Sequence, residues 1–187
     1  MFSQDDVYSF VNFFSEKEVD NFCERHQTNK DIDWVDAEIT GDISYDPTIR
    51  KTKLKSLRHN RNDLFITKFV YGIVQANERK FKKNINTYFL ENITLLKYSK
   101  DNDFFRIHCD SGEDDRTSAR QLSAIVPLSN TNEYEGGGLV FYGNKECENR
   151  FRLHTAKGSL IVFPSKMFHE VTPVTSGTRL SLVMWVG

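Results

Sequence analysis

His108 and Asp110 flank Cys109, His169 lies far downstream, and Arg179 follows it. Two imidazoles and one carboxylate on one face of a metal suit ferrous iron and leave coordination positions open. An arginine beside such a centre offers a planar fork that grips a carboxylate through two parallel hydrogen bonds. These residue types point to an iron centre that holds an organic acid and activates oxygen.

Residues two apart on an extended segment point to the same side, so His108 and Asp110 can reach one ion while Cys109 turns away. A thiolate ligand there would favour zinc or copper instead. His169 comes just after Pro164, where one strand turns into the next. A His-x-Asp triplet is common by chance, and the chain has 5 histidines. His26, His59 and His154 are read as ordinary surface or hydrogen-bonded groups. The order of the features adds weight: a strand and a polar turn, the pair, a second histidine opening a later strand, then the arginine.

Arg179, Ser181, Val183 and Trp185 alternate with Leu180, Leu182, Met184 and Val186. If the wholly apolar face packs on helices, Arg179 points into the interior, where a guanidinium needs an anionic partner. A bound dicarboxylate would supply one, with Ser181 as a further donor and Trp185 as a wall. Tyr98 precedes His108 and is read on an adjoining strand, where its phenol serves either a ligand carboxylate or the core.

The elements that must hold these groups change character along the chain. Ser15-Glu16-Lys17-Glu18 is a capping box, and Val19, Phe22 and Cys23 follow at helical spacing. Asn62-Asp63 starts a second helix with Leu64, Phe65, Phe69, Ile73 and Val74 on its apolar face and a basic tail from Arg79 to Lys83. The stretch from Asp36 to Arg61 is polar, carries Arg50, Lys51, Lys53, Lys55, Arg58 and Arg61, and reads as loop with one edge strand. A solvated basic surface is the favoured account of it, and a flap over an active site the sharper one.

Strands follow: Ile93 to Tyr98, Leu122 to Leu128, Leu139 to Tyr142, Phe151 to His154, Ser159 to Phe163, a segment opened by His169, and Arg179 to Val186. Helices early and strands late predict a mostly β jelly roll buttressed by N-terminal α-helices. Residues 1–187 read as one domain, with helical support over 1–90 and the catalytic core over 91–187.

The 187 residues suffice for a substantial core, and a formal net charge of -1 gives no strong nucleic-acid signal. No apolar run suggests a leader or a membrane span, so the expected location is cytoplasmic. The 3 widely spaced cysteines argue for a reducing compartment.

Leu96-Lys97-Tyr98 followed by Phe105-Arg106-Ile107-His108-Cys109-Asp110 resembles the tyrosine strand and first ligand pair of prolyl 4-hydroxylase-like oxygenases. Arg120-Gln121-Leu122-Ser123, Tyr134-Glu135-Gly136-Gly137-Gly138-Leu139, Phe163-Pro164-Ser165, His169 to Val174 and Gly177 to Ser181 are similar to later motifs of that family. The resemblance implies a dioxygenase on a cupin-like double-stranded β-helix, dependent on Fe(2+), 2-oxoglutarate and O2, with ascorbate as accessory reductant. It implies His108, Asp110 and His169 as iron ligands and catalytic centre, Arg179 on the distal carboxylate of 2-oxoglutarate, and Tyr98, Ser181 and Trp185 around the cosubstrate. The implied substrate is a protein, a peptide or a small molecule, with a peptidyl proline leading.

Three departures bear on the substrate. Arg179 stands where collagen-type enzymes carry lysine, Lys100 to Asp103 lacks the usual glycines, and Phe104-Phe105 replaces a tyrosine near the iron. Two rival readings remain at this level. Two histidines and an aspartate also serve zinc hydrolases, and a jelly roll can keep a metal without catalysis.

Overall fold

Local capping starts both helices. The Ser15 amide donates to Glu18 Oε2 at 2.8 Å and the Glu18 amide to Ser15 Oγ at 3.3 Å, which opens α1 (Glu16–Gln27). Asp63 Oδ1 accepts from the amides of Phe65 and Ile66 at 2.9 and 3.3 Å and opens α2 (Leu64–Ala76). A single π-helical turn over Asn77–Phe81 follows α2 and ends at Lys82, whose φ is 53°. Phe65, Phe69 and Ile73 are buried as expected, but Leu64 is 84% exposed. It sits beside the cap at the first position of α2, while Phe65 and Ile66 on the same turn are buried.

The computed structural model describes all of the chain except residues 28–31, 38–45, 87–90, 116 and 155. In chain order its strands are β1 (Tyr8–Phe10), β2 (Val35–Asp36), β3 (Arg50–Lys51), β4 (Lys53–Leu57), β5 (Ile93–Ser99), β6 (Phe104–His108), β7 (Leu122–Pro127), β8 (Tyr134–Gly136), β9 (Leu139–Tyr142), β10 (Phe151–Leu153), β11 (Leu160–Pro164), β12 (Phe168–Val171) and β13 (Val174–Val186). The larger sheet runs β1-β11-β7-β13-β5-β4-β2, with β8 joined to β13, and the smaller runs β10-β9-β12-β6-β3. Every described pairing is antiparallel. This is the expected mostly β jelly roll with flanking helices.

Two cores result, one on each face of the larger sheet. Phe14, Val19, Phe22, Phe65, Phe69 and Ile73 pack against Leu95, Val126, Val162, Leu180, Leu182 and Met184 on the helix side. Between the sheets, Tyr98, Ile125, Phe163 and Val183 meet Leu139, Phe141 and Val171. β13 is covered on both sides, which is why it reads as near-continuous apolar sequence. Its alternation sends Leu180 and Leu182 to the helices and Val183 between the sheets.

Two expectations need correction. The N-terminal part is more than helical support: β1 pairs with β11, β3 with β6 and β4 with β5, so it adds strands to both sheets. The basic stretch is not simply solvated, although its residues 38–45 lie outside the described residues. Arg50 and Lys55 are buried, because strand pairing turns them inward, while Lys53, Arg58 and Arg61 stay exposed. Lys55 Nζ donates to the carbonyl of His26 at 3.2 Å, and Lys51 Nζ to that of Asp101 at 2.5 Å.

Candidate metal centre

His108 ends β6 and lies directly opposite His169 on β12, and their rings are 4.2 Å apart. Asp110 follows the end of β6. Its amide donates to the Ser165 carbonyl at 2.8 Å, and the Ser111 amide donates to the same oxygen at 3.0 Å. This tie to the turn after β11 holds the carboxylate beside both histidines. His108 Nε2 is 3.6 Å from Asp110 Oδ1, and His169 Nε2 is 3.6 Å from Asp110 Oδ2. One ligand atom from each residue falls within 4.8 Å of the others.

Both rings are oriented by their far nitrogens. His108 Nδ1 meets the Arg106 carbonyl at 2.7 Å, and His169 Nδ1 meets that of Met167 at 3.0 Å. A carbonyl only accepts, so each Nδ1 carries a proton and each Nε2 is the atom turned toward the carboxylate. Burial would raise the Asp110 carboxyl, but His169, His108 and the Ser123 hydroxyl together hold it below the usual carboxylate range. Burial first, and His108 second, push His169 down to about 4. At neutral pH the cluster therefore offers an ionised carboxylate and a neutral His169, the protonation states a divalent cation needs. The donor set fits ferrous iron.

The carboxylate has its own support. Ser123 Oγ donates to Asp110 Oδ2 at 2.6 Å and lies 3.0 Å from Ser165 Oγ. Arg120 Nη1 donates to the Asp110 carbonyl at 3.0 Å, and Arg120 is itself clamped by both oxygens of Glu91 at 2.5 and 2.6 Å. The Arg120 guanidinium lies 4.1 Å over the Trp185 ring.

The cluster opens into a cavity between the sheets that is also lined by Tyr98, Arg179, Ser181 and Trp185. Arg179 is 3% exposed, donates to Ser181 Oγ at 3.2 Å, and lies 5.3 Å over the Tyr98 ring. Tyr98 is Arg179's cross-strand partner on β5. β5 and β6 belong to different sheets, so Tyr98 faces His108 across the cavity and not from an adjoining strand. Trp185 Nε1 is buried and has no acceptor among the described residues, which leaves a donor at the cavity wall. Cys109 Sγ contacts the Ser111 carbonyl at 3.3 Å and is not part of the metal-ligand cluster.

Gly137 carries φ +56°, and a Cβ there would come within 2.9 Å of Arg179 Cδ. The glycine turn before β9 thus leaves room for the arginine stem. Residue-by-residue reading of the sequence missed Ser123, Ser165, Arg120, Phe105 and Arg50 around this site. Phe105 stacks on His108 at 3.5 Å, and Arg50 lies 4.4 Å over Phe105. Position alone distinguishes these residues from ordinary strand and loop residues. The family-like motifs that contain Phe105, Arg120, Ser123 and Ser165 gave a signal, and Arg50 stood out only as part of the basic stretch.

The profile of the 2OG-Fe(II) oxygenase superfamily matches residues 93–187, half of the chain. The chain belongs to that superfamily. A PKHD-type hydroxylase of Shewanella oneidensis is 40% identical over 87 residues, 45% of this chain and 38% of the relative. The matched stretch is thus well under half the length of that relative. A PKHD-type hydroxylase of Acinetobacter baumannii is 28% identical over 96% of this chain and 77% of its own.

Among solved structures, a Pseudomonas putida prolyl-4-hydroxylase superposes with a TM-score of 0.71 at 20% identity, covering 97% of this chain and 91% of that one. A prolyl hydroxylase from Trichoplax adhaerens, solved with a hypoxia inducible factor peptide fragment, gives 0.70 at 17% identity and covers 98% and 84%. At these identities the likeness shows the superfamily's fold. The superfamily takes Fe(2+), 2-oxoglutarate and O2, which agrees with the chemistry of the donor set.

Proposed function

We propose that this superfamily member is an Fe(2+)- and 2-oxoglutarate-dependent dioxygenase that hydroxylates an unactivated C–H bond of an amino-acid residue, with release of succinate and CO2. The observation that carries the reading is the His108, Asp110 and His169 cluster, within 4.8 Å, sharing one cavity with buried Arg179. When bound, ferrous iron and 2-oxoglutarate would supply the electrons that activate O2, the oxidant for that chemistry. His108, Asp110 and His169 would hold the metal. Arg179, assisted by Ser181, would grip the distal carboxylate of 2-oxoglutarate from the opposite sheet, with Tyr98 and Trp185 as walls. Apolar Leu96, Ile125, Leu139 and Val183 line the same cavity and exclude water from the reacting groups.

A peptidyl prolyl residue is the first substrate class to test. The PKHD-type and prolyl hydroxylase relatives support it, as does the peptide bound to the Trichoplax neighbour. Residues 1–187 act as one unit in this reading, with ascorbate as accessory reductant. The location proposed is cytoplasmic: no disulfide joins Cys23, Cys109 and Cys147, and no described helix is long and apolar enough to cross a membrane.

The test is incubation with Fe(2+), 2-oxoglutarate and a peptide library containing proline. A mass gain of one oxygen in a peptide, matched by succinate, is expected. Iron binding without any 2-oxoglutarate decarboxylation across the library would overturn the reading.

A further inference from the structure

A second arginine reaches the cavity. Arg50 is 9% exposed and lines the space that holds the metal-ligand cluster and Arg179. Its strand, β3, is the edge of the smaller sheet, so it stands at the cavity rim. Arg50 pairs across the ladder with Phe105, whose ring stacks on His108. The guanidinium thus lies two rings' reach from a metal ligand, on the opposite side of the cavity from β13. Burial in this space works against the charged form of Arg50, and the Asp110 carboxylate favours it.

The electrostatics of the lining follow. Asp110 is the one acid among the described lining residues, against Arg50 and Arg179. A divalent ion with the 2-oxoglutarate dianion leaves these groups net positive, inside walls made mostly of apolar side chains. Such a site attracts one more anion. Arg179 already has the place for the cosubstrate, with Ser181 at 3.2 Å and Tyr98 beneath it. Arg50, based on the other sheet and at the rim, is the group an incoming substrate meets.

We propose that Arg50 is a carboxylate receptor for the substrate, and that this enzyme acts on a molecule bearing a carboxylate close to the carbon it oxidises. Free amino acids, the carboxyl termini of peptides and acidic side groups all qualify. The proposal rests on the oxygenase reading and narrows its substrate class. Arginine suits the task because its fork matches a carboxylate geometrically, where a lysine would act as a point charge.

The test uses the 187-residue chain loaded with Mn(2+) and saturated with N-oxalylglycine, a 2-oxoglutarate analogue that is not decarboxylated. Binding of N-acetylproline and N-acetylleucine is compared with that of their carboxamides by the relaxation of water protons on Mn(2+). Wild-type protein is expected to prefer the acids at least tenfold, Arg50→Gln less than twofold, and Arg50→Lys an intermediate amount. Thermal melts of each variant confirm that it is folded. Equal preference in wild type and Arg50→Gln overturns the proposal. So does a tenfold loss of N-oxalylglycine affinity in Arg50→Gln equal to that of Arg179→Gln, which would assign Arg50 to the cosubstrate. Acid preference in a protein that never decarboxylates 2-oxoglutarate would sink the oxygenase reading while leaving the receptor intact, so the two failures are distinguishable.

Discussion

His108 and His169 are directly opposed on neighbouring antiparallel strands, and Asp110 closes the triangle from just beyond the end of the first strand. Side chains opposite each other in a ladder project to the same face, so this one register brings two remote histidines to one point. Replacing Asp110 with Ala removes the anionic ligand. Iron content after reconstitution should fall to background and succinate release with it. Full iron occupancy in Asp110→Ala would exclude the residue as a ligand.

Ser123 contributes differently. Its hydroxyl occupies Asp110 Oδ2 at 2.6 Å and orients the carboxylate. Ser123→Ala should weaken metal affinity by about 10–100-fold, the usual effect of losing a group that orients a ligand. Competition with a chelator measures it. Ser123→Thr, which keeps the hydroxyl, should recover part of the loss.

Gly137 and Arg179 form a linked pair of predictions. Arg179→Ala should weaken 2-oxoglutarate binding strongly while leaving iron affinity nearly intact, since the guanidinium is based on the other sheet from His108 and His169. Gly137→Ala adds a Cβ 2.9 Å from Arg179 Cδ at a left-handed backbone position. It should raise the KM for 2-oxoglutarate in the same direction. Titration calorimetry separates the two ligands.

The pH dependence of stability has one clear contributor in α1. Glu18 is lowered from 4.5 to about 2, chiefly by its hydrogen bond to Lys68 and then by the Ser15 amide. A depressed acid stabilises the fold fully above its unfolded value, and that contribution fades as pH falls from about 4.5 through about 2. Glu18→Gln should therefore be less stable than wild type at pH 7, by no more than about 1 kcal/mol because water screens this exposed pair. The gap should close as pH approaches 2. Urea titrations across that range read it, and a gap independent of pH would contradict the assignment.

Much of this architecture was legible in the residues themselves. The Ser15 box, the Asp63 cap and the two-faced β13 are set by local residue types and alternation, and each forms as those predict. Leu64 misled because a residue at the first turn can face solvent while its neighbours are buried. Arg50 and Lys55 misled because basic composition signals water unless a strand partner turns the side chain inward, and β6 and β5 lie far along the sequence from them. Ser123 is flagged by the Arg120-to-Ser123 motif, but its role is not. Its importance comes from a hydrogen bond across the fold to Asp110, which no local pattern records.

β13 faces the helices with one set of side chains and the cavity with the other. It works as a shared keel. A void opened beneath Leu182 or Met184, on the side away from the chemistry, would let the strand sag and carry the Arg179 fork with it. Damage to the helical layer would then surface as poorer acid capture before it surfaced as collapse, and the clamp would serve as a gauge of the whole hull.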